Sequence, residues 1–372
     1  IRITFPKFDA YQLAKYNRDA SVRLRDVMFI THPKPPNAET AAMWEQLING
    51  TLPAPETWEV MRSTGKMTWH DVIHQIFYKD NRVNNYMAIL RNLRNCVLSA
   101  SVTDEDIDLL CRMITDDEAI RYSKVLPFRY LAAYREILKL EPRFIKLDSG
   151  ETVMRGPGSL IDALEVAAQK SLENLPRLPG RMAVAIDISG SMSSPLSARS
   201  HVRLIDVAMM MGLIANRIAD RAYVCLFNNE VRWIDPPKWT DLLHATANMS
   251  PSGQTYLYRV FKTLYEGNVV VDRLMVFTDS IDYYQMGAYT SDTVASLWKK
   301  YCIRHNNKPH LFICDVSGYD TRSVPDDALN AHSISGWSEN IFKVVPMIER
   351  GESIVDEIKS YVEQKRSELE RL

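Results

Sequence analysis

No run of apolar residues in this 372-residue chain approaches the roughly 20 that cross a bilayer. No basic, apolar, small-residue succession of the signal-peptide kind occurs either. Two glycine patterns that cradle phosphates are missing: there is no Gly-x-x-x-x-Gly-Lys-Ser/Thr loop, and no Gly-x-Gly-x-x-Gly follows the first expected strand. Nucleotide-dependent catalysis therefore has no support in the chain. Cysteine is sparse. Cys96, Cys111, Cys225, Cys302 and Cys314 form no Cys-x-x-Cys pair and sit mostly in apolar surroundings, so they read as buried free thiols in a reducing, cytoplasmic setting. Neither sign of charge dominates. A net charge of -1 rules out a uniformly basic coat, so any nucleic-acid surface must be local.

What is present is an ordinary globular composition, 46% hydrophobic and 24% charged, in a chain long enough for two or three domains. Ile1 rather than a methionine begins the sequence, and Phe5-Pro6-Lys7-Phe8 follows at once. The chain reads as a fragment or processed product with a segment missing upstream.

Apolar residues recur at helical spacing through Val22–Ile30, Ala41–Ile48, Trp58–Met61, Val72–Phe77, Tyr86–Leu98, Ile107–Ile114 and Phe128–Leu138. Prolines 33, 35, 36, 53, 55 and 127 punctuate the links, and Thr103-Asp104-Glu105-Asp106 is a helix start. Helix pairs with short links suggest a solenoid, although no repeat of fixed length is visible. Gly150–Gly158 reads as a polar break, followed by an amphipathic helix over Leu160–Leu175. Strands are then expected at Met182–Ile186, Arg221–Phe227, Arg273–Phe277 and His310–Cys314, with helices Val202–Ala219 and Thr293–Tyr301 between them. Such alternation predicts a parallel sheet covered on both faces by helices. The expected division is a helical region over residues 1–178, an α/β domain over 179–350 and a charged C-terminal helix over 351–372. Ile354, Ile358, Tyr361, Lys365, Leu369 and Leu372 lie near one face of that last helix, which suits packing against the α/β domain.

The first expected strand ends in Asp187-Ile188-Ser189-Gly190-Ser191, placing a carboxylate and two hydroxyls at the carboxyl end of a buried parallel strand. Open α/β sheets bind ligands there. The three oxygens are part of a shell that suits a hard divalent cation such as Mg²⁺. Ser252-Gly253-Gln254-Thr255 adds a hydroxyl, and Leu274-Met275-Val276-Phe277-Thr278-Asp279 is a second apolar strand ending in a carboxylate. Asp187, Ser189, Ser191, Thr255 and Asp279 form the candidate metal set. The plainer alternative is that Asp187 caps a helix and the serines form a turn. The ordered pattern resembles the metal-ion-dependent adhesion site of von Willebrand factor A domains. That resemblance implies a coordination position left open for a partner's carboxylate, with no catalytic base.

The helical part carries a second resemblance. Ala14-Lys15-Tyr16-Asn17-Arg18, Leu24-Arg25-Asp26-Val27, Thr31-His32-Pro33-Lys34-Pro35, Leu90-Arg91-Asn92-Leu93 and Leu126-Pro127-Phe128-Arg129-Tyr130 resemble successive landmarks of the Ro autoantigen family. The likeness runs to about Val345 and begins part-way into that family's helical region. It implies an α-helical, HEAT-like repeat region (the TROVE module) followed by a doubly wound, Rossmann-like von Willebrand A domain. It also implies binding of small noncoding RNA: Y RNA on the outer helical surface, and the single-stranded ends of misfolded RNA in a central hole.

The residues agree in part. Arg2, Lys7, Lys15, Arg18, Arg23, Arg25 and Lys34 face only Asp9, Asp19 and Asp26 across residues 1–35, a local basic excess. Lys15, Arg18 and His32 match positions where the resemblance implies RNA contact, while Arg91 and Arg94 join them on charge and helical position. A solvated helix face is the bland reading of each. His70-Asp71-Val72-Ile73-His74 has zinc-ligand spacing, but Asp replaces the Glu of a zinc-protease helix and no clear third ligand follows. The combined expectation is a non-enzymatic RNA-binding protein with a Mg²⁺-dependent docking face. The competing expectation is a protein-interaction adaptor that uses both surfaces without RNA.

Overall fold

Short polar side chains that accept hydrogen bonds from their own helix's first turn mark where many of the helices begin. Asp9, Asn37, Thr57, Thr68, Thr103 and Asp116 each take the backbone amide three residues on. The computed structural model describes residues 5–17, 21–53, 57–79, 82–198, 200–235, 241–279, 293–305, 309–318 and 328–353, with scattered residues up to 367. The side chains of Lys15, Arg82, Val83, Arg143 and Arg155 are not among those described. Contacts divide the chain into two units, residues 1–80 and 81–372.

The first unit holds α1 (Ala10–Tyr16), α2 (Leu24–Thr31), α3 (Ala38–Asn49), α4 (Trp58–Ser63) and the single turn α5 (Trp69–Asp71), which continues as a π-helix over Val72–Tyr78. Phe5, Leu13, Met28, Trp44 and Leu47 form its buried cluster. Trp58 packs on Trp69 and Phe77, with ring centroids 6.3 and 5.5 Å apart.

The second unit opens with α6 (Arg82–Val97), α7 (Asp104–Ile114), α8 (Asp117–Ser123) and α9 (Pro127–Leu138). The segment read as a polar break instead belongs to a hairpin, β1 (Arg143–Lys146) and β2 (Thr152–Arg155), closed by a turn in which Gly150 has φ +91°. Two four-residue strands are too short to display a period of two, which is why the sequence hides them. After α10 (Gly158–Lys170) come β3 (Leu178–Asp187), α11 (Leu204–Ile218), β4 (Ala219–Phe227), β5 (Val231–Ile234), α12 (Leu242–Ala247), α13 (Tyr258–Glu266), β6 (Arg273–Thr278), α14 (Val294–Arg304), β7 (His310–Asp315), β8 (Ala331–Ser335) and α15 (Ile341–Glu349). The large sheet runs β5-β4-β3-β6-β7-β8 and is parallel except at β5, an antiparallel edge strand that the sequence reading did not foresee, as it did not foresee β8. The residues expected to line the C-terminal helix, Ile354, Ile358, Tyr361, Lys365, Leu369 and Leu372, lie outside the described residues.

On one face of the sheet, Ala183, Ala185, Leu274 and Val276 pack with Phe261 and Trp298. Along the other runs α11, every residue of which is buried except Arg217. A helix apolar on all sides needs cover on all sides. The cover is fastened by charged groups. Glu165 on α10 accepts from the first amides of α12, those of Leu242, Leu243 (2.8 Å) and His244 (3.2 Å). Glu339, just before α15, returns the arrangement by accepting from Phe128 N at the start of α9 (2.6 Å). Arg135 on α9 and Arg203 both bind Asp206, which is fully buried on α11. The five cysteines are free, and all but the half-buried Cys111 are buried, as expected. No described helix is long and apolar enough to cross a membrane.

Replacing Glu165 by alanine strands buried amide donors on α12, at a cost of about 1–3 kcal/mol for an orphaned group. Thermal unfolding of Glu165→Ala should fall by several degrees, whereas Val166→Ala, one residue on and exposed, should leave the midpoint nearly unchanged.

Candidate functional site

β4 and β6 flank β3 on opposite sides, so the chain leaving their carboxyl ends diverges and opens a crevice at the end of β3. Asp187 is the last residue of β3 and is fully buried. Its Oδ1 accepts from Ser189 N at 2.8 Å, and its Oδ2 accepts from Thr278 Oγ1 at 2.6 Å, across the β3–β6 pair. Ser189 Oγ stands 3.2 Å from Ser191 Oγ. Asp279 follows Thr278 directly and is also buried.

Two further loops close on these residues. Ser252 N donates to Ile188 O (2.8 Å) and Gly190 N donates to Gly253 O (2.9 Å), which draws the segment carrying Thr255 against the Asp-x-Ser-x-Ser loop. Asn228 Nδ2 donates to Ser252 O (2.8 Å), and Asn229 Oδ1 accepts from Gln254 N (2.9 Å). Gly253 has φ +82°, and a Cβ there would stand 2.1 Å from Asn229 Oδ1, so this close approach requires glycine. Thr255, two residues on, is buried at 4% exposure. The sequence reading missed Thr278, Asn228 and Asn229. Thr278 was visible as the polar end of an apolar strand; the asparagines carry no signal until the loops are seen together.

The donors are carboxylates and hydroxyls alone, an oxygen set that fits a hard divalent cation. Electrostatics points the same way. Burial pushes the Asp187 carboxyl up to about 7, the neighbouring Asp279 carboxylate adds to the rise, and hydrogen bonds from Thr278 and Ser189 oppose it. A cation would offset the cost of holding this acid ionised.

The RNA candidates fall in both units. Lys15 lies on α1 with its side chain outside the described residues, and Arg18 is itself outside them. His32 is exposed and ends α2 in a left-handed conformation, φ 43°, its amide donating to Met28 O at 2.9 Å. Its backbone therefore serves as a helix cap, and its imidazole is presented from a bend before Pro33. Arg91 and Arg94 are exposed on α6 and share a groove of about 360 Å³ with Arg129 of α9, whose lining includes the buried Leu90 and Leu93. Arg94 Nε also lies 3.9 Å from Glu136 Oε2. Arg129 is a further cation that the sequence reading did not single out. The imidazoles of His70 and His74 adjoin, with centroids 4.5 Å apart, while Asp71 between them closes the Thr68 capping box.

Residues 44–211 match the TROVE domain. Over 117 residues, 30% of the chain, it is 31% identical to the RNA-binding protein RO60 of Caenorhabditis elegans, spanning 17% of that protein. Over 93 residues, 24% of the chain, it is 32% identical to telomerase protein component 1 of Mus musculus, spanning 3% of it. The crystal structure of the Deinococcus radiodurans RO (RSR) protein superposes with a TM-score of 0.63 at 18% identity, covering 95% of this chain and 76% of that one. The chain thus carries a TROVE domain and is similar to Ro proteins in part of its sequence and in fold. The Ro fold, a helical HEAT-like region with a von Willebrand A-like α/β domain, is the one the sequence predicted. The Ro-like chain described here spans only a small part of the length of the curated relatives it matches.

The raised Asp187 pKa has a testable sign. In chelator, wild type should lose stability relative to Asp187→Asn as pH rises from about 4, the ordinary carboxyl value, through about 7. Above that the difference should level off. Thermal unfolding of both proteins across this range measures it, and a constant difference would refute the assignment.

Proposed function

We propose that this chain binds small noncoding RNA, Y RNA-like or misfolded, within a Ro-type ribonucleoprotein, and that it is a binding protein rather than an enzyme. The observation that carries the reading is the groove between α6 and α9, lined by exposed Arg91, Arg94 and Arg129 together with buried Leu90, Leu93 and Ala133. Guanidinium groups pair with phosphate in bidentate geometry, and such contacts supply most sequence-independent affinity. The TROVE domain and the partial similarity to an RNA-binding protein of C. elegans support it. Lys15, Arg18 and His32 are proposed as RNA contacts of the first unit in their own right.

The oxygen set Asp187, Ser189, Ser191, Thr255 and Asp279 is proposed to hold a divalent cation, Mg²⁺ by its ligand chemistry. The bound ion would supply a Lewis-acidic position for a carboxylate from a protein partner. Two-metal nucleases need more carboxylates than this set contains, because each metal must be held and neutralised. Hydroxyls in their place favour a clamp for a ligand over a hydrolytic centre.

Binding of a hairpin RNA with a single-stranded end should weaken steeply with salt, and Arg91→Glu with Arg94→Glu should flatten the log–log slope by about one per lost phosphate contact. Charge reversal at Lys15 and Arg18 should act alike. Unchanged affinity and slope in both pairs would sink the RNA assignment and favour the adaptor reading. Asp187→Ala should leave RNA affinity intact, abolish a Mg²⁺-induced thermal shift, and alter no RNA cleavage.

A further inference from the structure

The β1–β2 hairpin puts apolar side chains where water is. Phe144 and Met154 pair directly across the two strands and remain 75% and 68% exposed. Because strand side chains alternate, Lys146 and its partner Thr152 share their face, and both are exposed. The opposite face carries half-buried Ile145 and Val153. The turn end of the hairpin is tied to the rest of the unit: Asp148 N donates to Ala100 O (3.1 Å), and Leu147 is buried. The two-stranded ribbon thus presents an aromatic ring, a thioether, an ammonium and a hydroxyl on one face.

We propose that this face is a stacking platform for single-stranded RNA, with a base on Phe144 and Met154 and the adjoining phosphate on Lys146. The inference rests on the RNA-binding reading above and adds a contact site to it. Two observations select this occupant. The first is size: the apolar patch is two side chains, far below the roughly 1,000 Å² a specific protein interface needs, yet one ring is enough for one base. The second is charge. The cation lies two positions along the strand from Phe144, on the same face, which is the combination that a base joined to an anionic backbone requires.

The test uses the full chain and fluorescently labelled oligouridine, with a blunt RNA duplex of equal length as reference. Phe144→Ala and Met154→Ala should weaken oligouridine binding about tenfold in combination, leave the duplex nearly unaffected, and leave the thermal midpoint unchanged because both side chains are exposed. Phe144→Trp should bind as well as wild type, and Phe144→Leu should bind as poorly as the alanine variant. Full binding by Phe144→Leu would show apolar docking instead of stacking and overturn the proposal. Wild-type affinity in the double alanine variant would overturn the hairpin site while leaving the arginine groove standing. Failure of wild type to bind either RNA would remove both readings together.

Discussion

Buried carboxylates that cap helices belonging to the opposite layer hold the larger unit of this protein together. Glu165 reaches from α10 to the amides of α12, and Glu339 reaches from the edge of the sheet layer to the start of α9. Each satisfies donors that a helix terminus leaves open, and each loses solvation in doing so, which raises both carboxyls above the ordinary range. Asp206, held between Arg135 and Arg203, adds a third fastening at the start of α11. With these in place α11 is covered on every side, and the sheet behind it presents its carboxyl edge in one fixed geometry. The Asp187 cluster and the α6–α9 groove both inherit their shape from that packing.

The two proposed sites differ in how they handle charge. At the end of β3 Asp187 and Asp279 are buried and the partners of Asp187 are a hydroxyl and an amide, so the cluster favours protonation or a cation. Along α6 and α9 the cations are exposed, and Glu136 beside Arg94 balances only part of them. Exposed guanidinium groups remain ready for a polyanion and cost little to keep charged. A buried acidic centre and an open basic groove thus coexist in a chain whose net charge is -1.

Much of this was legible in the sequence because it depends on local order. The cap at Thr103, the apolar runs of β3 and β6, and the oxygen residues that end them are read directly, and the alternation of strands and helices follows. What stayed hidden depends on partners far away in the chain. Asn228 and Asn229 become meaningful only when their loop meets residues 252–254. Arg129 gains its role from α6, and Glu165 and Glu339 look like ordinary surface acids until the layers pack. The hairpin escaped for another reason: four-residue strands whose exposed face carries Phe144 and Met154 break the usual alternation of apolar in and polar out.

The contact between Phe128 and Glu339 joins residues 211 positions apart. During synthesis, α9 emerges early and its leading amide waits through the making of the entire sheet before its acceptor exists. The start of α9, which carries Arg129 of the groove, is therefore finished only once nearly the whole sheet exists, so one end of the helical layer is set by the last part of the chain to be made.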